Sequence, residues 1–452
     1  MPGRHPPPAR SEPPFTPVGG HWHTQCVTST RDPARHRDAP LDLAALRRRT
    51  TAVLIASQIL GGLGVAIGIA LASVLAEDIS GSKALSGLAQ TAAVAGTALL
   101  SMPLAALMSA RGRRPGLTLA YAIGAAGGSL VVLAAALGSF PLLLVGMAAF
   151  GAGSSANLQA RFAAADLAPA EQRARAISTV VWATTVGAVL GPNIAAPAGR
   201  SVAGLGIPQA AGPFLWAAAV FVVCAVLVAV LLRPDPLLTA RALAARDEHP
   251  ERGRSLRAGL AAVSASPPAR LALVTVSVSH TVMVAIMVMT PVDLAHHGAG
   301  IELIGLVISG HIAGMYAFSP LMGWLCDRAG RLPVIGLAVL LLGTAALLAG
   351  TAGGGHGRTA AGLFLLGLGW SAGLVAGSAL LTDSVPQAAR AAVQGLSDLT
   401  MNTAAGLGGA LAGLVVARAG YGWLNALGAL LLLPVVVLAL RGRRRTGPAG
   451  AR

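Results

Sequence analysis

From about residue 51 onward the chain alternates long apolar runs with short polar breaks. A helix rises 1.5 Å per residue, so crossing a hydrocarbon core of ~30 Å takes about 20 residues. Runs of that length fall near 51–76, 84–108, 115–137, 141–165, 176–199, 212–232, 271–295, 301–326, 332–353, 359–382, 391–417 and 422–440. Twelve membrane-spanning helices are predicted, because a helix satisfies its backbone polar groups within each segment and so can stand in hydrocarbon. The longest break, 233–270, carries Arg233, Arg241, Arg246, Arg252, Arg254, Arg257 and Arg270 among acids and prolines. It is expected to link two six-helix halves, 47–232 and 271–440. Residues 1–46 have no apolar periodicity and no continuous apolar run, which predicts a disordered tail, and 441–452 form a second, basic tail.

Composition agrees with an all-α integral membrane protein. The 452 residues are 54% hydrophobic and 11% charged, against about a quarter charged in soluble domains. A net charge of +16 would suit nucleic acid, but aromatic residues are few and the arginines sit in short clusters at the ends of apolar runs. No nucleic-acid partner is expected; the bilayer is the partner. Arg47 to Arg49, Arg111, Arg113, Arg114, Arg173, Arg175, the linker, Arg328, Arg331, Arg390 and Arg441 to Arg445 all fall on one side of the twelve-span arrangement. The alternate breaks hold little more than Lys83, Arg200, Arg358 and Arg418. Basic residues concentrate on the cytoplasmic side, so both termini are predicted cytoplasmic, in the cytoplasmic (inner) membrane. Cys26, Cys224 and Cys326 lack the spacing of a zinc site or a disulfide framework. His21, His23 and Cys26 could bind metal, but a flexible polar tail accounts for them.

The halves repeat. Arg111-Gly112-Arg113 after the second run has a counterpart in Ala329-Gly330-Arg331 after the eighth, and Asp166-x-x-Pro169-x-x-x-Arg173 has one in Asp383-x-x-Pro386-x-x-x-Arg390. From 113 to 331 and from 166 to 383 the displacements are 218 and 217 residues. Two unrelated motifs displaced almost equally imply a duplicated six-span unit, with substrate held between the copies at mid-membrane.

Gly323-Trp-Leu325-Cys-Asp327-Arg328-Ala-Gly330-Arg331 resembles the loop signature of the major facilitator superfamily. The resemblance implies that fold, secondary transport by alternating access, and a gate in which Gly323, Asp327, Arg328, Gly330 and Arg331 act with Arg113, Asp166 and Arg173. Asp327 and Arg328 are expected to latch one conformation by a charge-assisted pair. The first-half copy has Ser109 in the acid's place, so an acid-arginine gate is not expected there. Gly187-x-x-x-Gly191-Pro192 resembles a motif of the drug-proton antiporter branch, where small residues let helices approach and proline bends the span. Met147 stands where that branch carries an intramembrane arginine, and Arg161 is expected to snorkel to the interface.

The remaining chemistry lies between His280 and Met315. Met283 and Met287 stand four apart in the seventh run, His311 and Met315 four apart in the eighth, so each pair shares a helix face. Met283 and Met287 lie ~18 and ~12 Å from the outer end of one run, His311 and Met315 ~15 and ~21 Å from that of the next, which overlap near the midplane. If the two helices pack side by side at roughly 8–10 Å, the four side chains meet. Thioether and imidazole suit a soft ion such as Cu(I), and an imidazole within a span is a functional signal. M-x-x-x-M followed by H-x-x-x-M resembles the signature of the CcoA-type copper importers. That resemblance implies copper uptake, with copper as cargo and no resident cofactor. The alternative, from the glycine-proline motif, is proton-coupled efflux of small organic or drug-like compounds. Met289 points away from the Met283 face, and Asp293, His296 and His297 occupy the outer turn. Asp398 and Asn402 in the eleventh run could serve a coupling proton or an interhelical hydrogen bond. No catalytic motif and no nucleotide-binding loop occurs, so neither enzyme activity nor ATP-driven transport is expected, and a monomer suffices for this design.

Overall fold

Each predicted run is a helix in the computed structural model, which describes residues 42–82, 85, 87–202, 204, 206–244 and 256–445. The expected tails, with His21, His23 and Cys26, and Arg246, Arg252 and Arg254 of the linker lie outside the described residues. The first half comprises Leu43–Ser80, Gly87–Arg111, Arg113–Leu137, Phe140–Asp166, Arg173–Ser201 and Gly212–Leu231. The second comprises Pro267–His296, Ile301–Tyr316 continued by Ser319–Ala329, Arg331–Gly350, His356–Asp383, Arg390–Ala419, and Tyr421–Leu430 continued by Leu433–Arg445. These are the first to twelfth spans, and no strand occurs among the described residues. The helix carrying Arg47, Arg48 and Arg49 starts at Leu43, and the linker holds two short helices, Pro236–Ala244 and Leu256–Ala265.

Local chemistry sets the starts and breaks. Ser266 precedes Pro267 and Pro268 and accepts the Ala269 N–H at 3.3 Å, the side-chain cap and rigid first turn that begin the seventh span. In the eighth span Pro320 has no N–H to give the Tyr316 carbonyl four residues back, and the helix breaks there. The Ser319 hydroxyl donates to that carbonyl at 2.8 Å. It also reaches the Ser178 carbonyl of the fifth span at 3.0 Å. Pro434 interrupts the twelfth span in the same way.

The internal repeat is visible in the packing. The first span lies on the fifth, the second on the fourth, the third on the fourth and sixth; the seventh lies on the eleventh, the eighth on the tenth, the ninth on the tenth and twelfth. Phe150, Phe214, Phe221 and Tyr121 knit the first core. The second core gathers Leu342, Leu363, Leu366 and Trp370, and takes in Ala174, Ile177 and Val181 of the fifth span. Leu99, Leu306, Leu340, Leu347 and Trp423 are exposed around the outside, as a bilayer requires. Glycine permits the close pairing of first and fifth spans. A Cβ on Gly187 would stand 2.4 Å from the Leu63 nitrogen, and one on Gly191 2.3 Å from the Ala66 Cβ. The fifth helix runs on past Pro192, whose side chain lies outside the described residues.

Candidate functional site: an ionic seam and a mid-membrane cluster

The halves meet along two seams, second span against eleventh and fifth against eighth. Their polar contacts gather at the end that carries the arginine clusters, here termed the basic end.

At its surface Asp383 holds Arg331 at 3.1 Å within its own half and Arg173 across the seam. Asp327 pairs with Arg331 at 2.9 Å and accepts the Ala174 and Arg175 N–H groups at 3.2 and 2.9 Å. Those are orphan donors at the positive end of the fifth helix, so a carboxylate from the opposite half caps it. The expected latch between Asp327 and Arg328 is therefore corrected. Arg328 turns outward over the Trp324 ring, 5.4 Å from its centroid, because neighbouring residues on a helix point ~100° apart, whereas Arg331 is four positions on. Gly330 between them has φ 95°, a left-handed turn that favours glycine, and its counterpart Gly112 has φ 96°.

One layer deeper, Arg113 is fully buried. It pairs with Asp166 at 2.8 Å within its half, donates to Gln159 at 3.0 Å, and crosses the seam to Gln394. The loop of the first half, which lacks the acid, is held from the linker instead. Arg241 donates to the Ser109 carbonyl at 2.6 Å and reaches its hydroxyl at 3.4 Å. Asp235 accepts the Arg114 N–H at 2.7 Å and the Leu237 and Leu238 N–H groups at 3.0 and 3.1 Å. Its carboxylate leaves no room for a side chain at Gly112, where a Cβ would lie 2.4 Å away. Asp235 followed by Pro236 is a helix-start signal that sequence reasoning passed over.

Deepest lies Arg161. Instead of snorkelling, it is 2% exposed and its Nη2 meets the Asp398 Oδ1 at 2.7 Å across the halves, with its guanidinium 4.5 Å from the Phe162 centroid. The Gln159 Nε2 donates to the other Asp398 oxygen at 2.7 Å. Of the two roles open for Asp398 and Asn402, Asp398 does bridge helices. Asn402 donates within its own helix, to the Asp398 carbonyl at 2.8 Å.

Both seams depend on a missing Cβ. A Cβ on Gly323 would fall 2.0 Å from the Ser178 Oγ, and one on Gly395 would fall 2.3 Å from the Ala105 Cβ. Shifted by the repeat, Gly323 corresponds to Ala105 and Gly395 to Ser178, so each crossing has one glycine, on opposite partners. Gly323, expected in the gate, is here a packing residue where the eighth span meets the fifth.

At mid-membrane, the expected side-by-side packing of seventh and eighth spans is not found; the seventh lies on the eleventh and tenth, the eighth on the tenth and fifth. Ser279 and Val276 pack at Gly373 and Gly377, while Gly314 packs at the Phe364 carbonyl, so Met283 and Met287 approach the tenth span on one face and His311 and Met315 on another. Trp370 joins them: its indole N–H donates to the His280 Nδ1 at 2.8 Å, and its ring meets Tyr316 edge-on at 5.5 Å. Met283 and Met315 are buried in the same apolar core as Trp370, with Met287 and Met289 packed against it. His311 is fully buried; its Nδ1 lies 2.8 Å from the Leu363 carbonyl, which can only accept, so Nδ1 carries the proton. Among the described residues the Nε2 lone pair has no hydrogen-bond partner. No group of three or more His, Cys, Asp or Glu that could hold a metal occurs among the described residues, so a soft ion here would depend on thioethers. In the outer turn, the His297 Nδ1 folds back on the Asp293 carbonyl at 2.8 Å.

A family model described as Major Facilitator Superfamily matches residues 53–295 and 271–452. The uncharacterized MFS-type transporter YddS of Bacillus subtilis (strain 168) is 38% identical over 417 residues, covering 89% of this chain and 94% of that protein. The riboflavin transporter RfnT of Brucella anthropi is 29% identical over 399 residues, covering 88% and 95%. Among solved structures, the human organic anion transporter MFSD10 (TETRAN) superposes with a TM-score of 0.64 at 17% identity, over 87% of this chain and 99% of that one. A bacterial homologue of the iron transporter ferroportin gives 0.66 at 15% identity, over 87% and 98%. At these identities the likeness of structure is one of fold.

Proposed function

The chain belongs to the major facilitator superfamily, and on that premise we propose that it imports a small planar aromatic solute across the cytoplasmic membrane by alternating access. The basic end faces the cytoplasm, following the excess of arginine there, and the ionic seam is the gate that keeps it shut. The observation that carries the solute class is the cluster of His280, Trp370 and Tyr316, contributed by three spans at mid-membrane. Aromatic rings offer stacking and edge contacts of about 0.5–1.5 kcal/mol each beyond their burial, which selects flat unsaturated ligands. RfnT, described as a riboflavin transporter, is similar over most of the chain, which makes riboflavin the first compound to test.

A second reading, copper uptake, is favoured by one observation. A buried imidazole whose Nδ1–H is held by a carbonyl presents Nε2 as an oriented ligand, the second-shell arrangement common at metal sites. Met283, Met287 and Met315 would supply the thioethers, as in the CcoA-type importers that the two motifs resemble.

Purified protein in proteoliposomes, offered radiolabelled riboflavin and Cu(I) in parallel, separates the two. The aromatic reading expects saturable riboflavin uptake that Trp370→Ala abolishes and Trp370→Phe partly retains. Copper accumulation lost in His311→Ala, with riboflavin ignored, would replace it.

A further inference from the structure

We propose that Gln58, Asn157 and Thr184 form a polar wall of the solute site, and that this wall selects planar rings carrying an N–H and a carbonyl on their edge, as lactams and imides do. The proposal rests on the aromatic-solute reading above and adds what the rings must carry.

The Gln58 Nε2 of the first span donates to the Thr184 hydroxyl of the fifth at 2.7 Å. Its Oε1 has no hydrogen-bond partner among the described residues, although the residue is only 5% exposed. In the fourth span the Asn157 Oδ1 accepts the Tyr121 hydroxyl at 2.9 Å, and its Nδ2 makes no bond among the described residues. A buried amide oxygen without a donor is costly in a folded protein, and in a transporter it marks where a ligand's donor fits.

Helix geometry sets where these groups point. A Cβ on Gly61 would stand 2.4 Å from the Asn157 Oδ1, and one on Gly62 3.5 Å from the Thr184 side chain. Gln58 precedes these glycines by three and four positions, which sets its side chain between their two directions, into the angle between fourth and fifth spans. Both spans carry the group on a face turned to the second half. Asn157 lies one turn from Arg161, which meets Asp398 of the eleventh span, and its neighbour Leu158 packs against the second core. Thr184 lies two turns from Ile177, which belongs with Val181 to that same core. At 1.5 Å per residue, Asn157 and Thr184 stand ~14 and ~17 Å along their helices from Asp166 and Arg173 at the basic end. His280, Trp370 and Tyr316 stand ~20 Å along theirs from Pro267, Asp383 and Ala329. A polar wall on one half and an aromatic wall on the other thus lie at similar depth.

Stacking on Trp370 holds a flat ring without reading its edge. A carboxamide oxygen accepts and a carboxamide nitrogen donates, so Gln58 takes a ring N–H and Asn157 gives to a ring carbonyl. A site built this way rejects the analogue that lacks the N–H, because its own buried acceptor then stays unpaired.

Two matched pairs test this by calorimetric titration of the full-length protein in lipid nanodiscs. Riboflavin is compared with its imide-N-methyl derivative, and the bicyclic lactam carbostyril with coumarin, in which a ring oxygen replaces the N–H and the shape is kept. In each pair that binds, the N–H member is expected to bind roughly 5–150-fold tighter, the range for leaving one buried polar group unpaired. Gln58→Leu is expected to weaken carbostyril to the level of coumarin and leave coumarin no weaker. Asn157→Leu is expected to weaken both, since both keep the carbonyl. If Gln58 only ties the first span to the fifth, Gln58→Leu lowers thermal stability and the preference for the N–H survives. The wild type reports that preference without any variant, so a variant that fails to fold does not decide the matter. Equal affinity for both members of a pair in the wild type, or a preference that survives Gln58→Leu, overturns the proposal; the aromatic reading still stands if Trp370→Ala abolishes that binding. A wild type that binds neither pair sinks the aromatic reading and the polar wall with it.

Discussion

Gly323→Ala tests whether the fifth and eighth spans must touch for the basic end to close. The new Cβ would stand 2.0 Å from the Ser178 Oγ, 2.7 Å from its Cβ and 2.9 Å from the Ala174 carbonyl oxygen. The hydroxyl can rotate, but the Ser178 Cβ and the Ala174 carbonyl are fixed to the helix. The Ser178 carbonyl is also tied to Ser319 at 3.0 Å, so the helix cannot slide aside cheaply. Overpacking of this kind costs about 1–3 kcal/mol. Because these helices belong to opposite halves, the cost falls on the closed state alone and vanishes once they part. A penalty of that size shifts the open-to-closed ratio roughly 5–150-fold toward open. Labels across the basic end should report the shift, with thermal unfolding little changed. Ser178→Gly added to Gly323→Ala reproduces the other crossing, where Ala105 already faces Gly395, and should restore closure. A double variant as open as the single one would refute close approach as the cause.

Three further outcomes are expected. Asp327→Ala removes the cross-half cap of the fifth helix, worth about 0.5–2 kcal/mol, and should slow solute uptake in proteoliposomes at unchanged protein abundance; an unchanged rate would reduce the residue to a topological marker. Asp235→Ala should free the linker helix from the first-half loop, read as faster tryptic cleavage at Arg241 with Asp327 contacts intact, and equal cleavage rates would show that the cap does not hold it. On the copper reading, His311→Ala and Met283→Ala should abolish cellular copper accumulation while Met289→Ala, whose side chain is turned to Gly413 of the eleventh span, leaves it normal; since each truncation costs about 2–5 kcal/mol in packing, equal membrane levels must be verified, and equal copper content in all three would exclude the ligand role.

The twelve spans were legible because a bilayer imposes a length and a polarity on every segment that crosses it, and chain order needs nothing further. The duplicated frame was legible for a related reason: Arg113 with Asp166 and Arg331 with Asp383 recur as pairs, and both pairs form. What failed was inference from adjacency in sequence. Asp327 beside Arg328 suggested a pair that helix geometry forbids, while the i, i+4 spacing to Arg331 held the answer. The seventh and eighth spans follow one another in the chain but pack on the eleventh and tenth rather than on each other, so Met283 and Met315 reach a common core without a common helix interface. Arg161 was misplaced because a lone arginine near a span end carries no local sign of an acid 237 residues away. Asp-Pro marks a helix start, but nothing local to Asp235 points to the Arg114 N–H 121 residues away that it also accepts.

Duplication gave the chain two copies of one frame, and the contacts between the halves differ on the two sides. Beside the fifth and eighth spans the contacts are ionic and wet at the rim: Asp327 caps the opposite half, and Arg173 of the fifth span meets Asp383 of the tenth where water can replace either. Beside the second and eleventh spans they are packed and dry, with Gly395 against Ala105 and Asp398 sealed onto Arg161 and Gln159 of the fourth. The equivalent of Asp327 on that side is Ser109, which the linker occupies through Arg241, so no surface carboxylate from this loop competes with the buried one. Parting the wet contacts costs little because water takes over from each partner, whereas parting the dry one strips a buried charge of its partner. Solvent exposure, rather than the number of ion pairs, therefore decides which contact most resists separation of the halves.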